Sequence, residues 1–167
     1  MQNAMKDNKQ IIPRQVVVFR LDDMMFALPM DIVIRIINSV FITPLPNAPP
    51  VILGIINMEG RILPVFDIRK RFGLPPREII PDDRYIILQT RERTVAIVAD
   101  EVDGVSGLES KNVISDDELI RKSEYIAGIV KTDSGMILIH DPDRFLSDQE
   151  NRLLSEAIRT GNISEYK

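Results

Sequence analysis

The chain has no cysteine, no tryptophan and one histidine among its 167 residues. Without cysteine neither a disulfide nor a thiolate-held metal can form, which suits a reducing compartment. Aromatic residues make up only 5% of the chain, too few for the stacking platforms of single-strand nucleic-acid binders. A basic excess is also missing. With 21 Lys and Arg against 25 Asp and Glu, the formal charge is −4 and the pI about 5.1, so no nucleic-acid partner is expected. The longest apolar runs fall well short of the roughly twenty residues a membrane span needs. The stretch MQNAMKDNKQIIPR lacks the apolar region of a signal peptide. These absences lead to the expectation of a cytoplasmic protein without membrane insertion.

What remains is apolar enough to fold: 44% hydrophobic and 28% charged residues fit one domain or two very small lobes sharing a core. Residues 1–13 show no periodicity and read as a mobile tail. Short β-rich runs with turn residues between them follow, the pattern of an all-β sandwich or barrel. Val16-Val17-Val18-Phe19 leads into Asp22-Asp23 and returns through Phe26-Ala27-Leu28, a hairpin. The stretch Asp31 to Ile37 reads as a strand with Ile32, Ile34 and Ile36 on one face. TPLPNAPP, residues 43–50, is a stiff connector because its prolines fix φ and extend their predecessors.

LGIINMEGRILPVFDI, residues 53–68, is a second hairpin whose tip Asn57-Met58-Glu59-Gly60 pairs a turn-forming Asn with a Gly free to take positive φ. Pro64 cannot donate to a ladder, so its strand is expected at an edge or at a bulge. Both hairpins recur. Asp31 matches Asp100, an offset of 69, while Gly54 and Asp67 match Gly128 and Asp141, an offset of 74. The repetition points to two similar small β lobes, divided near 75–83, with room for strands to exchange between them. Capping boxes at Ser115-Asp116-Asp117-Glu118 and Ser147-Asp148-Gln149-Glu150 open two helices. The second spans 147–161, with Leu153, Leu154, Ala157 and Ile158 as its apolar stripe and Gly161 as its stop.

Residues that could carry chemistry are scarce. Any imidazole-based site must use His140, at the end of an apolar strand beside Asp141 and Asp143. A hydrolase or metal site there lacks a second soft or imidazole ligand, and a strand-end His with hydrogen-bonded or wet nitrogens fits better. Gly104-Val105-Ser106-Gly107-Leu108 lacks the second Gly of a nucleophile elbow. No dinucleotide or phosphate-loop pattern occurs. Arg69-Lys70-Arg71 reads as solvated surface. Neither catalysis, cofactor nor metal is expected.

From about Gln15 to Leu146 the chain resembles the CheW-like family, the coupling proteins of bacterial chemotaxis. The resemblance rests on Phe26-Ala27-Leu28-Pro29, on Thr43-Pro44-Leu45-Pro46-Asn47-Ala48-Pro49, on Gly54-Ile55-Ile56-Asn57-Met58-Glu59-Gly60 and on Ile62-Leu63-Pro64-Val65-Phe66-Asp67-Ile68-Arg69, in that order. It implies two five-stranded, SH3-like β-barrel lobes sharing an apolar interface over 14–146, followed by the C-terminal helix. It also implies a scaffold without catalysis. The partners would be the cytoplasmic tip of a methyl-accepting chemoreceptor, bound in the groove between lobes, and the regulatory domain of the chemotaxis histidine kinase. The chain would meet membrane receptor arrays through protein contacts, in the motility pathway or in a parallel one with another output. Groove residues would be Met30 and Val33, with Tyr85 opposite; Asn57 shapes the tip. The family commonly carries Arg where this chain has Glu59, and an acid where it has Arg35. The exchange of both charges leads to the expectation that Arg35 and Glu59 form a reversed salt bridge.

Overall fold

The computed structural model describes residues 13–114 and 124–161. The helix expected from Ser115, and nearly all of the tail at 1–13, lie outside them. Eleven described strands form two sheets. In chain order they are β1 (Gln15–Leu21), β2 (Met24–Pro29), β3 (Val33–Asn38), β4 (Ile52–Met58), β5 (Arg61–Phe66), β6 (Arg84–Gln89), β7 (Thr94–Ala99), β8 (Glu101–Gly107), β9 (Val113–Ile114), β10 (Ile126–Thr132) and β11 (Gly135–His140). One sheet runs β8-β1-β2-β11-β10-β9, where β9 is a two-residue addition, and the other β3-β6-β7-β5-β4. Helix α1 (Ile68–Arg71) follows β5, and α2 (Asp148–Thr160) closes the described chain.

The repeat read from the sequence is present in the register. Phe19 faces Phe26 across β1 and β2, and Leu88 faces Val95 across β6 and β7. Adding 69 to the first pair gives the second. Ile52 faces Phe66 and Ile126 faces His140, each pair followed by a bulge, at an offset of 74. The hairpins combine across the repeats: β1–β2 joins β10–β11 through a parallel β2·β11 pairing, and β6–β7 joins β4–β5 through a parallel β5·β7 pairing.

This exchange explains why the hairpin strands are apolar on both faces. Val16, Val18 and Ala27 pack inside the first lobe with Ile137 and Ile139. Tyr85, Ile87 and Ala96 pack inside the second with Ile56 and Leu63. The alternate residues, Phe19, Leu21, Phe26 and Leu28 against Ile86, Leu88, Val95 and Ile97, build one shared core. Each such side chain contributes about 1.5–3 kcal/mol when fully buried, so the interface between the lobes is a main source of stability.

Some expectations need correction. Residues Met30–Ile32 form a 3-10 turn, and β3 starts only at Val33. Ile34 and Ile36 are both exposed, and β3 carries a bulge between Val33 and Arg35. Strand β5 is no edge strand; it lies between β4 and β7. Pro64 is tolerated there for a specific reason. Its cross-strand neighbour Ile55 directs its own N–H and C=O to Thr43, each at 2.8 Å. The Ile55–Pro64 pair therefore needs no hydrogen bond, and the pairing with β7 begins only at Val65. In α2 the Ser147–Glu150 capping box is complete, with bonds of 3.1 and 3.0 Å. Leu154 and Ala157 are buried, but Leu153 faces outward, and Gly161 ends the helix without a left-handed φ.

The connector at 43–50 crosses β4 so closely that only glycine fits at 54. A Cβ there would lie 2.3 Å from the Thr43 carbonyl oxygen, at a φ of +152°. Gly54→Ala is expected to cost about 1–3 kcal/mol through strain and clash, visible as a lower thermal midpoint. An unchanged midpoint would show that the connector can move aside.

Candidate functional site

The tip of the β4–β5 hairpin is a two-residue turn in which Glu59 (φ 53°) and Gly60 (φ 82°) both take positive φ, the geometry whose twist matches paired strands. The Gly60 N–H donates to Asn57 Oδ1 at 3.0 Å, which rigidifies the turn. Glu59 accepts the left-handed strain that Gly would avoid, and its carboxylate reaches Arg35 Nη2 at 3.0 Å. Strands β3 and β4 are the two outer strands of their sheet. The Arg35–Glu59 bridge links β3 to the tip of β4, and the Thr43–Ile55 backbone pair lays the connector after β3 along β4. The reversed pair expected from the sequence is thus formed. Glu59 is 77% exposed, so the pair contributes only about 0–1 kcal/mol to folding.

The other expected site residues separate into two groups. Met30, 43% exposed, and the half-buried Val33 sit where the chain passes from the first sheet to the second, with Val33 packed on the shared core. They lie between the lobes and within reach of solvent. Tyr85 does not. It is fully buried inside the second lobe, and its hydroxyl donates to the Val40 carbonyl at 2.7 Å. Its outward position is corrected by the register, because Tyr85 occupies the same place as Val16 in the other lobe, pointing inward.

Comparisons with known proteins bear on the same surfaces. The family model described as "CheW-like domain" matches residues 15–150 and so covers both lobes. The chain belongs to the CheW-like family. It is 30% identical to the chemotaxis protein CheW of Thermotoga maritima over 80% of this chain and 88% of that one. It is 26% identical to the CheW of Treponema pallidum over 84% and 86%. The crystal structure of the scaffolding protein TtCheW from Thermoanaerobacter tengcongensis superposes with a TM-score of 0.74 at 30% identity. That match covers 83% of this chain and 96% of the other.

Within this CheW-like fold, the cluster Arg69-Lys70-Arg71 corrects the sequence reading. Arg69 and Arg71 form an internal clamp, while Lys70 is exposed as that reading had it. Arg69 is 8% exposed and donates to Asp22 at 2.9 Å and to Asp100 at 2.6 Å. Arg71 reaches Glu150 at 2.6 Å and the Phe145 carbonyl, holding α2 against α1. Lys70 Nζ donates to the Pro50 carbonyl at 2.5 Å. Asp100 also accepts from Arg77 and from the Asp22 N–H. Burial pushes the Asp100 carboxyl up, but the bonds from Arg69, the Asp22 amide and Arg77 outweigh it and hold its pKa below the ordinary value. Asp100 stands at the passage from β7 to β8, the counterpart of Asp31. The two passages between lobes are therefore unlike: Asp31 lies in the exposed turn beside Met30, and Asp100 in a locked ionic network.

His140 is buried at its strand end, and the hydrogen-bonded ring expected from the sequence is not found among the described residues. The residue is 1% exposed, and neither ring nitrogen has a hydrogen-bond partner among the described residues. The imidazole lies against Phe72 and Phe145, and Tyr125 packs on both of those rings. Asp141 and Asp143 do not turn towards it: Asp141 accepts from the Asp143 N–H, and Asp143 from the Arg91 N–H. The dyad that an enzyme reading requires is not assembled. Among the described residues no group of three or more His, Asp or Glu is placed to hold a metal ion.

Proposed function

We propose that the chain is a chemotaxis coupling scaffold that joins chemoreceptors to the chemotaxis histidine kinase by protein contacts and performs no catalysis. The observation that carries this reading is the family match over residues 15–150, which takes in both lobes and the passage between them. The receptor tip would bind at the passage, against Met30 and Val33, and the kinase's regulatory domain would read the rim formed by Arg35, Asn57 and Glu59. Apolar contacts of the first kind supply affinity and rim charges supply partner choice. The protein acts from the cytoplasm at membrane receptor arrays. Purified kinase regulatory domain and receptor cytoplasmic fragment should each bind the chain in solution. Absence of binding to both would overturn the reading.

The exchanged charges favour a partner set that carries the complementary exchange, as in a parallel pathway. Like charges facing across a rim are penalised far more in binding than in folding. Arg35→Glu and Glu59→Arg are each expected to weaken binding of the chain's own kinase domain by about tenfold, and the double exchange to recover part of it. Thermal stability should change little in all three variants. Additive losses in the double exchange would refute the coupling.

A further inference from the structure

Strands β5 and β7 run parallel, yet share only two register pairs, Val65 with Ala96 and Phe66 with Ile97. Ahead of those pairs the two strands and α2 enclose a cleft of about 410 Å³, lined by Arg61, Ile62, Pro64, Arg93 and Ile158 among others. Its ionisable lining is of one sign: Arg61 and Arg93 alone. Neither arginine forms an ion pair among the described residues. Arg61 donates to the Thr94 hydroxyl at 3.1 Å, and Arg93 to the Ser155 hydroxyl at 2.7 Å. The Nε of Arg93 is buried and has no acceptor among the described residues.

Other enclosed guanidinium groups of the fold are paired. Arg69, Arg71 and Arg77, the other largely enclosed arginines, each reach a carboxylate of the same chain at 2.9 Å or less. Burial lowers the pKa of the Arg93 guanidinium, and Glu92 opposes the shift without forming a bond. Two guanidinium groups with no carboxylate bonded to them among the described residues, over a floor of Ile62, Pro64 and Ile158, present an incomplete site, although Glu92, Asp148 and Glu156 border the neighbouring cleft on the far side of Arg93. Guanidinium forks match carboxylates bidentately, and the apolar floor matches side chains flanking such a carboxylate. A nucleic acid would want many phosphate contacts on a basic face, and this acidic chain offers two.

We propose that the cleft between β5, β7 and α2 docks an extended acidic segment of a protein partner, with its carboxylates on Arg61 and Arg93 and its apolar side chains on Ile62 and Ile158. The site is separate from the passage between the lobes and does not depend on the coupling function.

A blocked synthetic peptide of alternating Ile/Leu and Asp/Glu, its Asn/Gln analogue and sodium sulfate serve as probes in an NMR titration. The acidic peptide should shift the Arg93 Nε–H resonance and the amides of residues 61–63 and 93–94, and the neutral analogue should not. Arg61→Gln, on an exposed side chain, should weaken peptide binding about tenfold without moving the thermal midpoint. Arg93→Lys, which keeps the charge but not the fork, should weaken it as well. No shift at millimolar peptide, equal binding of the neutral analogue, or shifts elsewhere on the surface would each overturn the proposal. Sulfate binding as tightly as the peptide would leave an adventitious ion only, and also overturn it.

Discussion

Asp100→Ala is expected to lower the unfolding free energy by about 3 kcal/mol, the loss seen when one partner of a buried ion pair is removed and the other stays buried. The expectation follows from where Arg69 sits. Its guanidinium is almost wholly enclosed and has two carboxylates, Asp22 and Asp100. Asp100 also fixes Arg77, which in turn reaches Asp83, itself buried. Removing one carboxylate therefore loosens α1, the Asp22 turn and the 75–83 segment together. For a domain of this size the thermal midpoint should fall by roughly 6–12 °C.

Asp100→Asn keeps acceptor geometry but not charge, and should lie between wild type and Asp100→Ala. The acid limb gives an independent check. The Asp100 carboxyl is held below its unfolded value, so its stabilisation is full above the unfolded pKa. It is lost as pH falls through the folded one. A fall of less than about 1 kcal/mol for Asp100→Ala would place the network on the solvated side of the balance, where ion pairs contribute little.

The network also marks the limit of what the sequence discloses. The lobes were legible because hairpin strands follow local rules: period-two alternation, turn residues at Asp22 and Gly60, and a repeat that register preserves. The Arg35–Glu59 pair was legible through the resemblance, since both positions depart from the family in opposite sense. Arg69 was not. A run of three basic residues has no local sign of burial, and its carboxylates lie 47 and 31 residues away in the chain. Tyr85 was misplaced for a related reason. In a strand apolar on both faces, periodicity cannot say which face is the shared core and which is the lobe interior. The Arg93 cleft requires three elements to converge, and nothing in any one of them announces it.

His140 leads to the second large effect, an acid-sensitive stability due to one residue. Burial holds the ring neutral and pushes its pKa down to about 3, against about 6.5 in the unfolded chain. Between those values the unfolded state binds a proton that the folded state refuses, so stability falls as pH falls, by about 1.4 kcal/mol per unit. From pH 7 to 5 the loss should reach about 2 kcal/mol. The assignment is clean because the chain has one histidine. Asp141, its pKa raised chiefly by burial, titrates with the opposite sign and cannot imitate it. His140 occupies the repeat position of Phe66, which stacks on Phe145 at 4.4 Å, so an apolar residue suits the site. His140→Leu should therefore fold, bind partners normally, and lose the slope between pH 7 and 5. It also removes two buried nitrogens that have no partner among the described residues, each of which costs about 1–3 kcal/mol, so stability at pH 7 should hold or rise. Denaturant unfolding of both proteins at pH 7, 6 and 5 decides the matter. A slope that persists in His140→Leu, or a wild type that is flat over this range, would mean that the imidazole is reached by water or finds a partner in the folded protein.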